Sequence, residues 1–83
     1  MRTGTTASGT YYLFNKKDQD VPIVFVHGVG LTHEIWQSQL EFFNYHSTLA
    51  YDILGHGKTS LENKEISFDD FSDQLIELMG HLN

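Results

Sequence analysis

Two glycine-containing segments hold the residue types and the spacing that could do chemistry. The first reads His-Gly-Val-Gly at residues 27–30, and the second reads Asp-Ile-Leu-Gly-His-Gly-Lys-Thr at residues 52–59. Glycine permits sharp turns and lets a bound molecule approach the backbone closely. A fixed backbone N–H can stabilise a phosphate, or the oxygen that becomes charged during acyl transfer. The two segments are therefore compatible with acyl transfer, dinucleotide binding or phosphate binding.

Each segment ends or follows a run of residues that predicts a strand. Residues 22–27 (PIVFVH) are apolar at every position up to Val26, which indicates burial on both faces, as in a central strand of a parallel sheet. Residues 48–52 (TLAYD) predict a second short parallel strand. Sites in open α/β sheets lie at the carboxyl ends of the strands. The two segments should therefore meet at one edge of the sheet.

The other elements complete an α/β pattern. Residues 2–15 predict two short strands around a Ser8–Gly9 turn, because residues 10–14 (TYYLF) are β-branched or aromatic. A first helix is predicted to begin at Thr32 or His33 and to end over residues 44–46. Its sheet-facing side chains are predicted to be Trp36, Leu40 and Phe43.

A second helix follows a polar stretch. Ser67 caps it, with Asp70 three residues later in the capping-box position. Its predicted sheet-facing stripe is Phe68, Phe71, Leu75, Leu78, Met79 and Leu82. The order β-β-β-α-β-α predicts an α/β fold, with a hairpin followed by parallel strands joined through helices.

Length, charge and cysteine content narrow the function classes. The 83 residues suffice for one small domain, and eleven acidic against five basic residues give a net charge of −6. This charge disfavours binding to nucleic acid or to an anionic membrane. The absence of cysteine excludes disulfides and thiolate catalysis. Residues 1–20 lack the apolar core of a signal peptide, so we expect a cytoplasmic protein.

The two segments together resemble two signatures of the α/β-hydrolase superfamily. Residues 27–30 resemble its H-G-x-G oxyanion loop, and residues 52–59 resemble its D-x-x-G-x-G-x-[S/T] motif, in the right order and a strand–helix–strand apart. Trp36 in the intervening helix also fits. The resemblance covers residues 10–82. It implies that residues 1–83 form a partial α/β-hydrolase domain with strands 1–4 and helices A and B.

The resemblance also implies roles for particular residues. The backbone N–H of Val29 would be one donor of the oxyanion hole. The residues expected to contact substrate are His27, Gly28 and Gly30. Those expected to form a structural loop are Asp52, Gly55, His56 and Gly57.

The implied activity is hydrolysis of a small-molecule substrate by a serine nucleophile, without a cofactor or a metal. Many epoxide hydrolases and dehalogenases of the superfamily carry proline where this chain has Gly30. The glycine therefore favours ester, lactone, thioester or C–C substrates.

The superfamily's nucleophile elbow, G-x-S-x-G, does not occur in the sequence. The family's catalytic acid and histidine come later still, so we expect the 83 residues alone to have little or no hydrolytic activity. The alternative is an inactive truncated remnant, or a small binding module that uses the same scaffold without catalysis.

Two other chemistries fit less well. A dinucleotide-binding βαβ domain would use the glycines at 28 and 30 with Asp52 as the acid that holds ribose, but its fingerprint needs a small residue where His33 stands. A nucleotide P-loop at residues 57–59 needs glycine where Asp52 stands. A carboxylate there would repel phosphate.

The remaining polar residues are predicted to have structural roles. The five histidines show no spacing typical of a metal site. His27 and His56 are predicted to pack within the loops, and the histidines predicted to lie at the surface are His33, His46 and His81. Asp52 is predicted to tie down its own loop through bonds to backbone N–H groups. Ser38 and Ser60 do not lie on a strand-to-helix elbow.

The strand predicted at residues 22–27 is expected to have an open outer edge. In the superfamily's strand order it lies between strand 4 and strand 5, and no strand 5 follows in this sequence. Its outer edge is therefore predicted to be unpaired and apolar. We expect marginal stability and self-association through this edge.

Overall fold

The computed structural model describes residues 1–17, 21–61 and 66–82. In these residues the elements follow one another in the predicted order, which confirms the α/β class. The strands are β1 (Arg2–Thr5), β2 (Tyr11–Asn15), β3 (Ile23–Val26) and β4 (Thr48–Tyr51). The helices are a 3-10 turn (His33–Trp36) that leads directly into α1 (Gln37–Phe42), and α2 (Phe68–Leu82).

The sheet has the strand order β1-β2-β4-β3. β1 and β2 form the predicted antiparallel hairpin, and β2 also pairs antiparallel with β4. β3 and β4 are parallel, with Ile23 opposite Thr48 and Val26 opposite Tyr51. The segment β3-α1-β4 is thus the parallel unit that brings both glycine segments to the same edge.

β4 lies at the centre of the molecule. All four of its residues are buried, because strands pair with it on both sides. Alternate residues of a strand point to opposite faces. Leu49 and Tyr51 join a core on the α2 face, together with Tyr12, Phe14, Ile53 and Leu78. Ala50 points to the α1 face.

β3 is less buried than its sequence predicts. Val24 packs against the α2 core, and Phe25 packs on the other face, so the middle of the strand is covered on both sides. Its ends, Ile23 and Val26, are 37% and 47% exposed. The prediction of burial over the whole strand was therefore wrong. The physical reason is that, among the described residues, β3 pairs with β4 on one side only.

The first helix covers the face of the sheet that Phe25 occupies. Thr32 caps it, with its hydroxyl accepting from the Glu34 N–H at 3.2 Å. The Phe25 ring lies 5.1 Å from the Trp36 ring and 6.2 Å from the Phe43 ring. Leu40 is buried on the same side. The predicted sheet-facing side of this helix is confirmed.

The second helix covers the opposite face. The Ser67 N–H donates to Asp70 Oδ2 at 2.8 Å, which is one half of the predicted capping box. Phe71, Leu75, Leu78, Met79 and Leu82 reach the core as predicted. Phe68 does not: it is 91% exposed, because it is the first residue of the helix and lies a turn before Phe71.

None of the helices in the described part of the chain is long and apolar enough to cross a membrane. The cytoplasmic location stays a prediction.

Candidate functional site

Asp52 organises the loop that follows β4. Its side chain is 0% exposed. The carboxylate accepts the His33 backbone N–H at 2.7 Å and the Lys58 backbone N–H at 2.9 Å. His33 Nδ1 lies 2.9 Å from each carboxylate oxygen. A carboxylate can only accept, so this ring nitrogen carries the proton. His33, predicted to lie at the surface, is instead partly buried against Asp52.

These contacts act on the pKa of Asp52 in opposite directions. Burial raises the pKa, since it disfavours the charged form. The backbone N–H bonds from Lys58 and His33, with the bond and charge of the His33 ring, lower it. The net result is a pKa below the ordinary aspartate value. The carboxylate is therefore stabilised as an anion and is poorly suited to act as a base near neutral pH.

Two glycines let the loop close around this carboxylate. Gly55 and Gly57 have φ values of 76° and 52°, which L side chains rarely adopt. A Cβ at residue 57 would collide with the Asp52 carboxylate. Within the loop the His56 N–H donates to the Ile53 carbonyl at 3.0 Å, and the Thr59 N–H donates to the His56 carbonyl at 2.9 Å.

Helix α2 supports the same loop through a buried amide. Gln74 is 6% exposed. Its Oε1 accepts the Leu54 N–H at 3.1 Å, and its Nε2 donates to the Asp52 carbonyl at 3.0 Å and to the Thr10 hydroxyl at 3.1 Å. Sequence reasoning missed this residue. A signal existed: Gln74 interrupts the apolar stripe of α2, three residues after Phe71 and four before Leu78.

The loop that follows β3 is a tight turn over residues 28–31. The Leu31 N–H donates to the Gly28 carbonyl at 3.1 Å, and Gly30, with φ 87°, occupies the third position, as in a type II turn. Val29 stands at the tip and is 82% exposed. No acceptor among the described residues bonds the Val29 N–H.

His27 and His56 tie the two loops together reciprocally. His27 Nε2 accepts the Ile53 N–H at 3.1 Å, and His56 Nε2 accepts the Gly30 N–H at 2.9 Å. Their Nδ1 atoms lie 2.8 Å from the Gly28 carbonyl and 2.9 Å from the Leu54 carbonyl respectively. Carbonyls only accept, so both rings are neutral and carry the proton on Nδ1.

This geometry fixes the direction of the Val29 N–H. The Gly28 carbonyl belongs to the same peptide unit, and it accepts from both His27 Nδ1 and the Leu31 N–H. In a planar trans peptide the C=O and the N–H point in opposite directions. The Val29 N–H therefore points away from the interior of its own turn, at an exposed tip.

The other predicted site residues divide between the loop after β3 and the loop after β4. Gly28 and Gly30 are exposed beside Val29. The His27 side chain is 0% exposed, so its imidazole holds the loops, and its predicted contact with substrate stays a prediction. Asp52, Gly55, His56 and Gly57 lie together in the β4–α2 loop.

The groups needed for the two alternative chemistries are already occupied. Both Asp52 oxygens are bonded and the side chain is fully buried, so neither oxygen is accessible to a ribose hydroxyl. The Lys58 N–H and the Thr59 hydroxyl, which a P-loop would offer to phosphate and metal, bond Asp52 and the Tyr11 N–H instead. No group of three metal-ligating side chains occurs in the residues that the structure covers.

Comparison with known proteins supports the resemblance to α/β-hydrolases. The model of the "Alpha/beta hydrolase family" matches residues 23–82. The chain is 36% identical over 63 residues to (E)-2-((N-methylformamido)methylene)succinate hydrolase of Acinetobacter baylyi, covering 75% of this chain and 24% of that protein. It is 33% identical over 82 residues to a non-heme chloroperoxidase of Kitasatospora aureofaciens, covering 95% and 30% respectively.

Solved structures share the fold. A hydrolase from Pseudomonas aeruginosa superposes with a TM-score of 0.81 at 23% identity, covering 98% of this chain and 32% of that one. A haloalkane dehalogenase from Bradyrhizobium elkanii also gives 0.81, at 19% identity, with coverages of 99% and 28%. The chain thus spans about a quarter to a third of the length of these proteins. Because the family model matches well over half of its residues, the chain belongs to the alpha/beta hydrolase family.

Proposed function

We propose that this chain is the N-terminal portion of a serine-type α/β-hydrolase and contributes one donor, the Val29 N–H, to the oxyanion hole. The proposed substrates are small molecules with an ester, lactone, thioester or C–C bond to be cleaved. The observation that carries the proposal is the Val29 N–H, which has no acceptor among the described residues and stands at an exposed turn after a parallel strand. A donor already fixed in place stabilises a developing oxyanion without reorganisation.

The relatives support the general class. The relative from Acinetobacter baylyi is named as a hydrolase, and the structural neighbours include a hydrolase and a dehalogenase. The glycine at position 30 and the free N–H at position 29 support the narrower proposal of acyl-type chemistry. The nucleophile, acid and base of such a reaction would come from residues other than these 83.

The test replaces Val29 with proline and, as the matched control, with alanine. Proline is common at the second position of a type II turn, so Val29→Pro removes the N–H while fitting the turn. Val29→Ala keeps the N–H. The variants are made in the longest open reading frame that contains residues 1–83, and hydrolysis of p-nitrophenyl acetate is measured.

We expect kcat to fall about 10²–10³-fold in Val29→Pro and to change little in Val29→Ala. Equal turnover by the two variants would contradict the role of the N–H. An absence of hydrolysis by the unsubstituted protein, on ester, lactone and thioester substrates, would favour the alternative of an inactive remnant or binding module.

A further inference from the structure

Three successive backbone N–H groups of the turn, at residues 29–31, differ in their hydrogen-bond partners. The Leu31 N–H closes the turn on the Gly28 carbonyl at 3.1 Å. The Gly30 N–H bonds His56 Nε2 at 2.9 Å. The Val29 N–H alone has no acceptor among the described residues. Without the imidazole, the Gly30 N–H would also have no acceptor among the described residues.

The imidazole that takes up the Gly30 N–H is itself held firmly. His56 Nδ1 donates to the Leu54 carbonyl at 2.9 Å, so the ring is fixed from its own loop. The His56 backbone is held at both its N–H and its carbonyl, by Ile53 and Thr59. The Leu54 N–H is in turn fixed by Gln74 from helix α2. The position of Nε2 is therefore set by the loop after β4 and not by the exposed turn that it contacts.

We propose that His56 is a positioning residue that leaves the Val29 N–H as the one free donor among residues 29–31, by accepting the neighbouring N–H of Gly30. His56 touches no reacting atom in this role. Naming the Val29 N–H an oxyanion donor rests on the proposed function, whereas the selection of one donor by His56 does not. The role requires His56 to be neutral with its proton on Nδ1.

Two substitutions of His56 test the positions of the two ring nitrogens separately. In His56→Gln the side-chain oxygen can reach the place of Nε2 and accept the Gly30 N–H. In His56→Asn the shorter amide reaches only the place of Nδ1. The control is His46→Asn, because His46 is exposed and lies outside both loops.

The experiment is NMR spectroscopy of the ¹⁵N-labelled chain. For the unsubstituted chain we expect the His56 ring to carry its proton on Nδ1, with a scalar coupling across the hydrogen bond between the Gly30 nitrogen and Nε2. Loss of this bond in His56→Asn should speed amide exchange at Gly30 about tenfold, whereas His56→Gln should stay within about threefold of the unsubstituted chain. Val29 should exchange rapidly in all of them.

A His56 proton on Nε2, or equal exchange at Gly30 in the Gln and Asn variants, would overturn the proposal. If His56→Asn fails to fold, which far-UV circular dichroism would show, the tautomer and the coupling in the unsubstituted chain decide. The outcome is independent of the turnover test. Expected spectra with no effect of Val29→Pro on kcat would remove the proposed oxyanion role of the Val29 N–H and leave donor selection standing.

Discussion

β4 and β3 are neighbouring parallel strands, each followed by a glycine-containing loop, yet they are built differently. β4 is fully buried and paired on both sides, and its loop closes around a buried carboxylate. β3 has exposed ends, pairs on one side among the described residues, and carries an exposed turn. The loop after β4 is therefore the rigid one, and the loop after β3 is the one that exposes a backbone N–H. The reciprocal bonds of His27 and His56 hold the loop after β3 against the loop after β4.

The largest expected effect comes from adding one methyl group to a glycine in each loop. Gly57→Ala adds left-handed strain and a clash with Asp52, while Gly30→Ala adds the strain alone, because nothing lies within 4 Å of its Cβ position. We expect a loss of unfolding free energy of about 4 kcal/mol for Gly57→Ala and about 1 kcal/mol for Gly30→Ala. Urea titration followed by Trp36 fluorescence measures both.

Gly80→Ala is the control for that comparison. Gly80 lies in α2 with open space around it, so alanine there should be neutral or slightly stabilising. Equal urea midpoints for Gly57→Ala and Gly30→Ala would show that the β4 loop is no tighter than the β3 loop.

The next largest effect is expected from the carboxylate of the β4 loop. Asp52→Asn replaces one of two acceptor oxygens with a donor that faces the N–H groups of His33 and Lys58. We expect a loss of about 3 kcal/mol in unfolding free energy, since a buried network loses a partner. Asp73→Asn, at an exposed position of α2, should cost less than about 0.5 kcal/mol. Similar losses for the two variants would refute the anchoring role of Asp52.

The same carboxylate predicts a pH dependence. The pKa of Asp52 is lower in the folded chain than its ordinary value, so its contribution to stability is fully present above the unfolded-state pKa of about 4. The contribution is lost as the pH falls below that value toward the folded-state pKa. Urea midpoints between pH 6 and pH 3 should therefore fall more steeply for the unsubstituted chain than for Asp52→Asn. Parallel curves would contradict the lowered pKa.

The smallest effect on folding is expected at the outer edge of β3, where the prediction concerns association. We expect the chain to self-associate there, because Val26 is exposed on an edge that no other described strand pairs with, and no charged residue lies between Val21 and Leu31. Val26→Lys should reduce the sedimentation coefficient at high concentration and leave the urea midpoint nearly unchanged. Ile76→Lys, on exposed α2, is the control. A monodisperse monomer for the unsubstituted chain would contradict the expectation.

The sequence predicts the architecture well because strand and helix periodicities are local. The two parallel strands, the hairpin and both helices lie where the apolar patterns place them, and family membership follows from the two motifs. The glycines also mark the tight turns, since positive φ is a property of the residue itself.

The bonding of the site could not be predicted from the sequence. The contact of His33 with Asp52, and the pairing of His27 with Ile53 and of His56 with Gly30, join residues 19 to 26 positions apart. Such contacts depend on side-chain direction after the strands have paired. The exposure of Val26 likewise depends on which strands are neighbours, and the exposure of Phe68 depends on where α2 first meets the sheet.

The most direct test of the account is amide hydrogen exchange at three consecutive residues of the unsubstituted chain, Val29, Gly30 and Leu31. We predict rapid exchange at Val29 and slower exchange at both Gly30 and Leu31, because only the first N–H lacks an acceptor among the described residues. Slow exchange at Val29, or exchange at Gly30 as fast as at Val29, would contradict the claim that, of these three donors, only the Val29 N–H is free.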